Sequence, residues 1–160
     1  MLAAVFTLLA FATNPRTAAA HLPAAPRAIG ACTAVTRADV ETVLARRVGR
    51  GSEENASGSS TCDYSSGGGQ ITVTIQRLGA PPDIAQEIAS LKAEFPGSTV
   101  RQAKLEGAVA FFLDLGDSGT LLHVIRDGRD YVLVAVLGFG EPATVSQAAA
   151  SLARTALGRL

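Results

Sequence analysis

The sequence predicts an α+β fold: one mainly antiparallel sheet of about five strands packed with about three helices, in the order α-β-β-α-β-β-β-α. Three observations predict it. Apolar residues recur at helical spacing in three stretches, alternation or short apolar runs mark five others, and hairpin-type turns join most of the latter. At 160 residues, 48% apolar and 18% charged, the chain is one domain's worth and can bury a core.

Thr36-Arg37-Ala38-Asp39 reads as a capping box with an acidic third position. Val40, Val43, Leu44 and Val48 follow at helical spacing, and Gly49 is a natural stop, so a helix is expected over about 37–48. Residues 51–60 are polar and rich in Gly and Ser, a surface loop with at most a short strand. Thr61-Cys62-Asp63-Tyr64 reads as a short strand, and Ser65 to Gly69 as a hairpin turn. Ile71, Val73 and Ile75 then alternate with Thr72, Thr74 and Gln76, which is the pattern of a half-buried strand.

Gly79-Ala80-Pro81-Pro82 breaks that strand. Asp83 caps a second helix with Gln86 as its reciprocal partner, and Ile84, Ile88, Leu91 and Phe95 form its apolar stripe until Pro96-Gly97 ends it. From Thr99 onward the pattern turns to strands. Ala108–Leu115, Thr120–Arg126 and Tyr131–Leu137 are separated by Gly116-Asp117-Ser118-Gly119 and by Asp127-Gly128, a two-residue hairpin signal. Pro142 stands near the first turn of a last helix whose inner face is Val145, Ala149, Leu152, Ala156 and Leu160. No repeat of 20–50 residues appears, which excludes a solenoid.

The N-terminal segment reads differently. Leu2–Ala12 is apolar except for Thr7, long enough for a signal-peptide core and too short to span a bilayer. Ala18-Ala19-Ala20 supplies small residues for cleavage. The expected organisation is a signal peptide over 1–20, a Pro/Ala-rich linker over 21–31, and a single α+β domain over 32–160. Of the charged residues, removal of 1–20 takes away only Arg16, and no transmembrane helix is expected in the mature chain. The expected location is extracellular, periplasmic or at the cell envelope.

Cysteine usage bears on the same point. Cys32 and Cys62 allow one pairing, and an oxidising compartment would let it form. Free thiols are one alternative. Lipidation of Cys32 is another, since Ile29-Gly30-Ala31-Cys32 faintly resembles a lipobox, but it lies about twenty residues from the apolar core and anchoring is disfavoured.

Several function classes lack support. Fourteen basic residues balance fourteen acidic ones, so there is no electrostatic footprint for nucleic acid. Two histidines and two cysteines make no zinc set, and Asp114, Asp117, Asp127 and Asp130 read as turn carboxylates rather than a calcium loop. Gly67-Gly68-Gly69 is no phosphate loop. Arg46, Arg47 and Arg50 meet the dipole at a helix end. Gly116-Asp117-Ser118-Gly119 copies a serine-protease motif, but His21 would lie at a loose N-terminus, and the segment reads as a turn. His123, in mid-strand, reads as a face residue with a satisfied hydrogen bond. No catalytic residue, metal or cofactor is assigned.

One pattern stands out. The strands around 109–113, 121–125 and 131–137 are apolar on both faces and must be covered on both sides. Either helices or the N-terminal segment cover the second face, or it stays partly open. In the second case Phe111, Phe112, Leu121, Leu122, Val132 and Val134 are the candidate surface for a small apolar ligand or an envelope protein, or for a homodimer.

Together these residues resemble a group of small exported proteins and lipoproteins of high-GC bacteria, of unknown function, some similar to extracellular sensor domains of membrane kinases. The resemblance rests on Cys32 with Thr36-Arg37-Ala38-Asp39-Val40-Glu41, Ser60-Thr61-Cys62-Asp63-Tyr64, the strand Ile71–Ile75, Gly107-Ala108-Val109-Ala110-Phe111 and the Ala-rich final helix. It implies an extracytoplasmic, non-catalytic domain bridged from Cys32 to Cys62. The expected function is an exported binding or sensor-like module. The alternatives are a structural or assembly factor acting by protein contact, and a small secreted hydrolase using Ser118 or His123.

Overall fold

The structure, a computed structural model, describes residues 29–160. The expected signal peptide, most of the expected linker and His21 lie outside the described residues.

The chain folds as α+β, and the details exceed the sequence reading. Among the described residues there are four helices and one seven-stranded, wholly antiparallel sheet. In order these are α1 (Ala31–Ala34), α2 (Arg37–Leu44), β1 (Ser52–Ala56), β2 (Ser59–Ser66) and β3 (Gly69–Arg77). Then come α3 (Ile84–Glu94), β4 (Thr99–Leu105), β5 (Ala108–Asp114), β6 (Gly119–Arg126), β7 (Asp130–Leu137) and α4 (Pro142–Leu157). The sheet order is β1-β2-β3-β7-β6-β5-β4. Two meanders therefore meet where β7 pairs with β3, and α3 carries the chain from the middle of the sheet to its far edge.

The expected count of five strands is corrected to seven. The two additions are the edge strands, β1 and β4. All five residues of β1, Ser-Glu-Glu-Asn-Ala, are exposed, so only backbone pairing with β2 makes it a strand. In β4 the polar residues Arg101, Gln102 and Lys104 obscure an inward Ala103 and Leu105. The single turn α1 is the added helix.

Capping decides the helix starts. Thr36 accepts from the Asp39 amide while Asp39 Oδ2 accepts from the Thr36 amide at 2.8 Å, the reciprocal box the sequence shows. The helix ends earlier than expected, with Ala45 left-handed at φ 51°, because Glu41 accepts from the Val48 amide and Gly49 donates to Ser65 O. Those bonds turn the chain out of the helix and onto β2. At α3, Asp83 accepts from the amides of Ala85 and Gln86. The last helix buries Val145, Ala149, Leu152, Ala153, Ala156 and Leu157, whereas Leu160 lies beyond it and is exposed.

The sheet's two faces are covered unequally. On one, α1, α2 and α4 pack over Ile71, Val73, Phe112, Leu122, Val124, Val132, Val134 and Val136. On the other, α3 covers only the β4–β6 side, with Leu91, Phe111 and Leu113 at the centre and Ile84, Ile88, Phe95, Val100, Leu115 and Leu121 around them. Both faces of β6 and of β5 from Phe111 onward are thus occupied, which is why those strands carry apolar residues without alternation; Val109, at the start of β5, stays exposed.

Candidate functional site

Cys32 in α1 and Cys62 in β2 are joined by a disulfide, with Cα atoms 5.1 Å apart. It lies on the helix-rich face. Beside it the Ala31 amide donates to Ser60 Oγ at 2.9 Å, and Tyr64 donates its hydroxyl to Val35 O at 2.5 Å. A structural disulfide suits an oxidising compartment. Among the described residues no helix is long and apolar enough to cross a membrane.

The six residues singled out as an open apolar surface are mostly core. Phe112, Leu122, Val132 and Val134 sit beneath the α1/α2/α4 layer, and Phe111 is buried beneath α3. Only Leu121 is half-buried. As a ligand surface this set is corrected: the helices supply the second cover that two-sided apolar strands require. The six also divide between opposite faces, so no single surface gathers them.

The open area lies elsewhere, on the α3 side of the sheet where α3 does not reach. There β7 presents Leu133 and Leu137, half-buried, and β3 presents Gln70, Thr72, Thr74 and Gln76. Beyond them β2 adds Thr61 and Asp63. The polar groups are mutually engaged. Thr61 and Thr74 hydroxyls are 3.0 Å apart, Thr72 donates to Asp63 Oδ1 at 2.5 Å, and Gln70 Nε2 donates to the same oxygen at 3.0 Å. This face is a network of hydrogen-bonded Thr, Gln and Asp side chains bordered by leucines.

At the seam between the open area and α3 lies a buried histidine. His123 is 2% exposed and stacks on Phe111, ring centroids 4.8 Å apart and nearly parallel. Its Nδ1 is 2.8 Å from the Tyr131 hydroxyl, and its Nε2 has no partner. Burial pushes the His123 pKa down to about 4, so the ring is neutral at pH 7. Burial, with the charge of Glu87 on α3, raises that of Tyr131. Ser118 occupies the turn before β6 and is exposed, so the two residues of the hydrolase alternative are separated by cover.

A cleft of about 630 Å³ opens at the end of the sheet, lined by Ile29, Ala56, Ile75 and Leu160 with Arg77 and Asp130. Arg77 and Arg126 both pair with Asp130. Among the described residues no three potential metal ligands cluster. Tyr131 is the residue that the sequence reading missed. A two-residue loop at Asp127-Gly128 would pair His123 with residue 132 and turn Tyr131 to the opposite face. The actual loop has three residues, pairing Arg126 with Asp130, which brings Tyr131 to the histidine's side.

No protein-family model, curated protein or solved structure matches this chain.

Proposed function

We propose that the protein is an exported, non-catalytic binding module of the bacterial cell envelope that presents the open half of its sheet to an envelope partner. The observation that carries this reading is the unequal cover of the two sheet faces. One face is sealed by three helices and stapled by Cys32–Cys62, which supports work in an oxidising setting. The other keeps an area of hydrogen-bonded Thr, Gln and Asp beside Leu133 and Leu137. Small side chains fixed by one another lose little freedom on contact, and the leucines give apolar area to bury.

The test is co-sedimentation of the oxidised protein with isolated envelopes of the producing bacterium. The wild type is expected to sediment, and Thr74→Arg, which adds bulk to the open face, is expected to stay in the supernatant. Equal behaviour of the two proteins overturns the reading.

A second reading, assembly through self-contact, draws on β1. It is a sheet edge with every residue exposed. Light scattering separates the two, since a dimer that Asn55→Pro abolishes would favour the edge over the face.

A further inference from the structure

The two faces of the sheet are held by different forces. On the helix-rich face, polar ties bind layer to layer. Arg101 donates to Ser146 Oγ at 2.7 Å, Arg126 donates to Leu157 O at 2.6 Å, Tyr64 donates to Val35 O, and the disulfide joins α1 to β2. Helix α3 has no counterpart. Among the described residues, its side-chain hydrogen bonds are those of its own Asp83 cap, and it makes no ion pair with the sheet. Its seat is a small apolar cluster in which Leu91 is the one residue of the helix that is buried. Pro81-Pro82 precede it, and Pro96-Gly97 follow, Gly97 at φ 87°. Such ends resist extension of the helix and localise any movement.

At the margin of that seat, stacked on its central Phe111, lies an incompletely satisfied polar group, His123. The Phe111 ring lies on one face of His123, Tyr131 occupies Nδ1, and Nε2 is unpartnered. A neutral imidazole tolerates one unmet nitrogen at modest cost. A protonated one would be a buried cation without a counter-charge. The ionisable group in contact with it is Tyr131 from β7; Glu87 of α3 is felt at Tyr131, and on β4 Lys104 lies on the same face, paired with Val109. On this face β5 adds Val109, Phe111 and Leu113, and β6 adds Leu121 and Ile125, none of which ionises.

We propose that His123 is an acid-sensitive latch for α3. Protonation of its buried ring lifts the helix off the β4–β6 face between its Pro-containing ends and exposes Phe111, Leu113 and Leu121, while the disulfide-stapled face stays folded. The proposal goes beyond the binding reading and does not depend on it. Burial holds the closed-state ring near a pKa of about 4 against the ordinary 6.5. Linkage then raises the ratio of open to closed molecules roughly 70-fold between pH 7.5 and 4.5.

Hydrogen exchange of the oxidised protein at those two pH values tests it, with rates expressed as protection factors to remove the intrinsic pH dependence. Amides of α3 are expected to lose protection by roughly 70-fold, while those of β3, β7 and α4 keep theirs. His123→Phe, which retains a ring on Phe111, is expected to hold α3 equally at both pH values. Imidazole NMR of the wild type supplies a second measurement: the ring must titrate in step with the loss of α3 protection. The proposal is overturned by α3 protection that is unchanged or higher at pH 4.5, as when Glu87 captures the cation. Uniform loss across the domain, a response surviving in His123→Phe, or separate NMR and exchange transitions overturn it equally.

Discussion

Arg159 grips Asp39 with both ends of its guanidinium, Nη1 donating to Oδ2 at 2.6 Å and Nη2 to Oδ1 at 3.0 Å, across 120 positions of sequence. Nη1 also donates to Ala34 O at 2.9 Å. The same Asp39 carboxylate closes the Thr36 capping box. One side chain therefore fixes the start of α2, the end of α1 and the chain beyond α4. Arg159 lies outside any periodic element, so nothing in its sequence context announces this role.

Replacing Asp39 by Ala removes the cap acceptor and the partner of Arg159 together. The expected loss is about 1–2 kcal/mol in urea unfolding, most of it from the cap because the ion pair is partly exposed. Asp39→Asn keeps an acceptor for the Thr36 amide and should lose less. The Arg159 hydrogen bonds hold the Asp39 carboxyl well below the usual range, against the opposing effect of burial. Its contribution is therefore full above about pH 4 and fades as pH falls below that. An Asp39→Ala protein as stable as the wild type at pH 7 would contradict this account.

The disulfide closes a loop between residues 30 positions apart. In the chain-entropy picture that restrains the unfolded state by about 3.5–4 kcal/mol. The double variant Cys32→Ala/Cys62→Ala is expected to unfold at correspondingly lower denaturant. Reduction should bring the wild type to nearly the same midpoint, since Cys62 is buried and the β2 contacts persist. A reductant-insensitive midpoint would show that the bridge restrains little.

Much of this architecture was legible, and the rest failed for definable reasons. Ile71, Val73 and Ile75 alternate because β3 has one buried face and one open face, and Val145, Ala149, Leu152 and Ala156 repeat because α4 lies along a sheet. The edge strand β1 was illegible because it buries no side chain. The two-sided apolar strands announced a second cover, but not that α3 supplies it over β4–β6 alone. At the candidate site the cysteine pair was readable from count. The His123–Tyr131 contact was not, since one extra loop residue at 127–129 decides which face Tyr131 occupies.

Gly119 opens β6 at φ 123°, a conformation that L side chains rarely adopt. A Cβ there would meet the Val136 carbonyl oxygen, backbone of the neighbouring strand, at 2.1 Å. Because β7 is central and cannot retreat, Gly119→Ala is expected to cost about 3 kcal/mol or more. Gly107 provides the control: its φ is also positive, at 70°, but an added Cβ meets nothing within 4 Å. Gly107→Ala should cost only the backbone strain, roughly 1 kcal/mol. Thermal unfolding of both variants checks the pair, and equal losses would mean that the close approach of β6 to β7 does not matter.

The acid limb of stability separates two groups by pH window. His123 has a folded-state pKa of about 4, below its ordinary 6.5. Between those values the unfolded chain binds a proton that the folded protein refuses, so stability falls as pH drops from 6.5 to 4 and levels off beneath. The full loss is about 3 kcal/mol for a shift of this size. Asp114 follows later. Burial raises its pKa, but hydrogen bonds from Arg101 and Thr120 outweigh burial and leave it lowered, so its support fades only below the ordinary aspartate range. His123→Phe should therefore flatten the profile between pH 6.5 and 4 and leave the lower limb in place. At pH 7 its cost should be limited to the lost partner of the Tyr131 hydroxyl, because Phe keeps the stack on Phe111. Chemical denaturation at half-unit pH intervals measures both limbs. A wild-type curve already flat from pH 6.5 to 4 would show that the ring reaches solvent or a counter-charge in the folded protein.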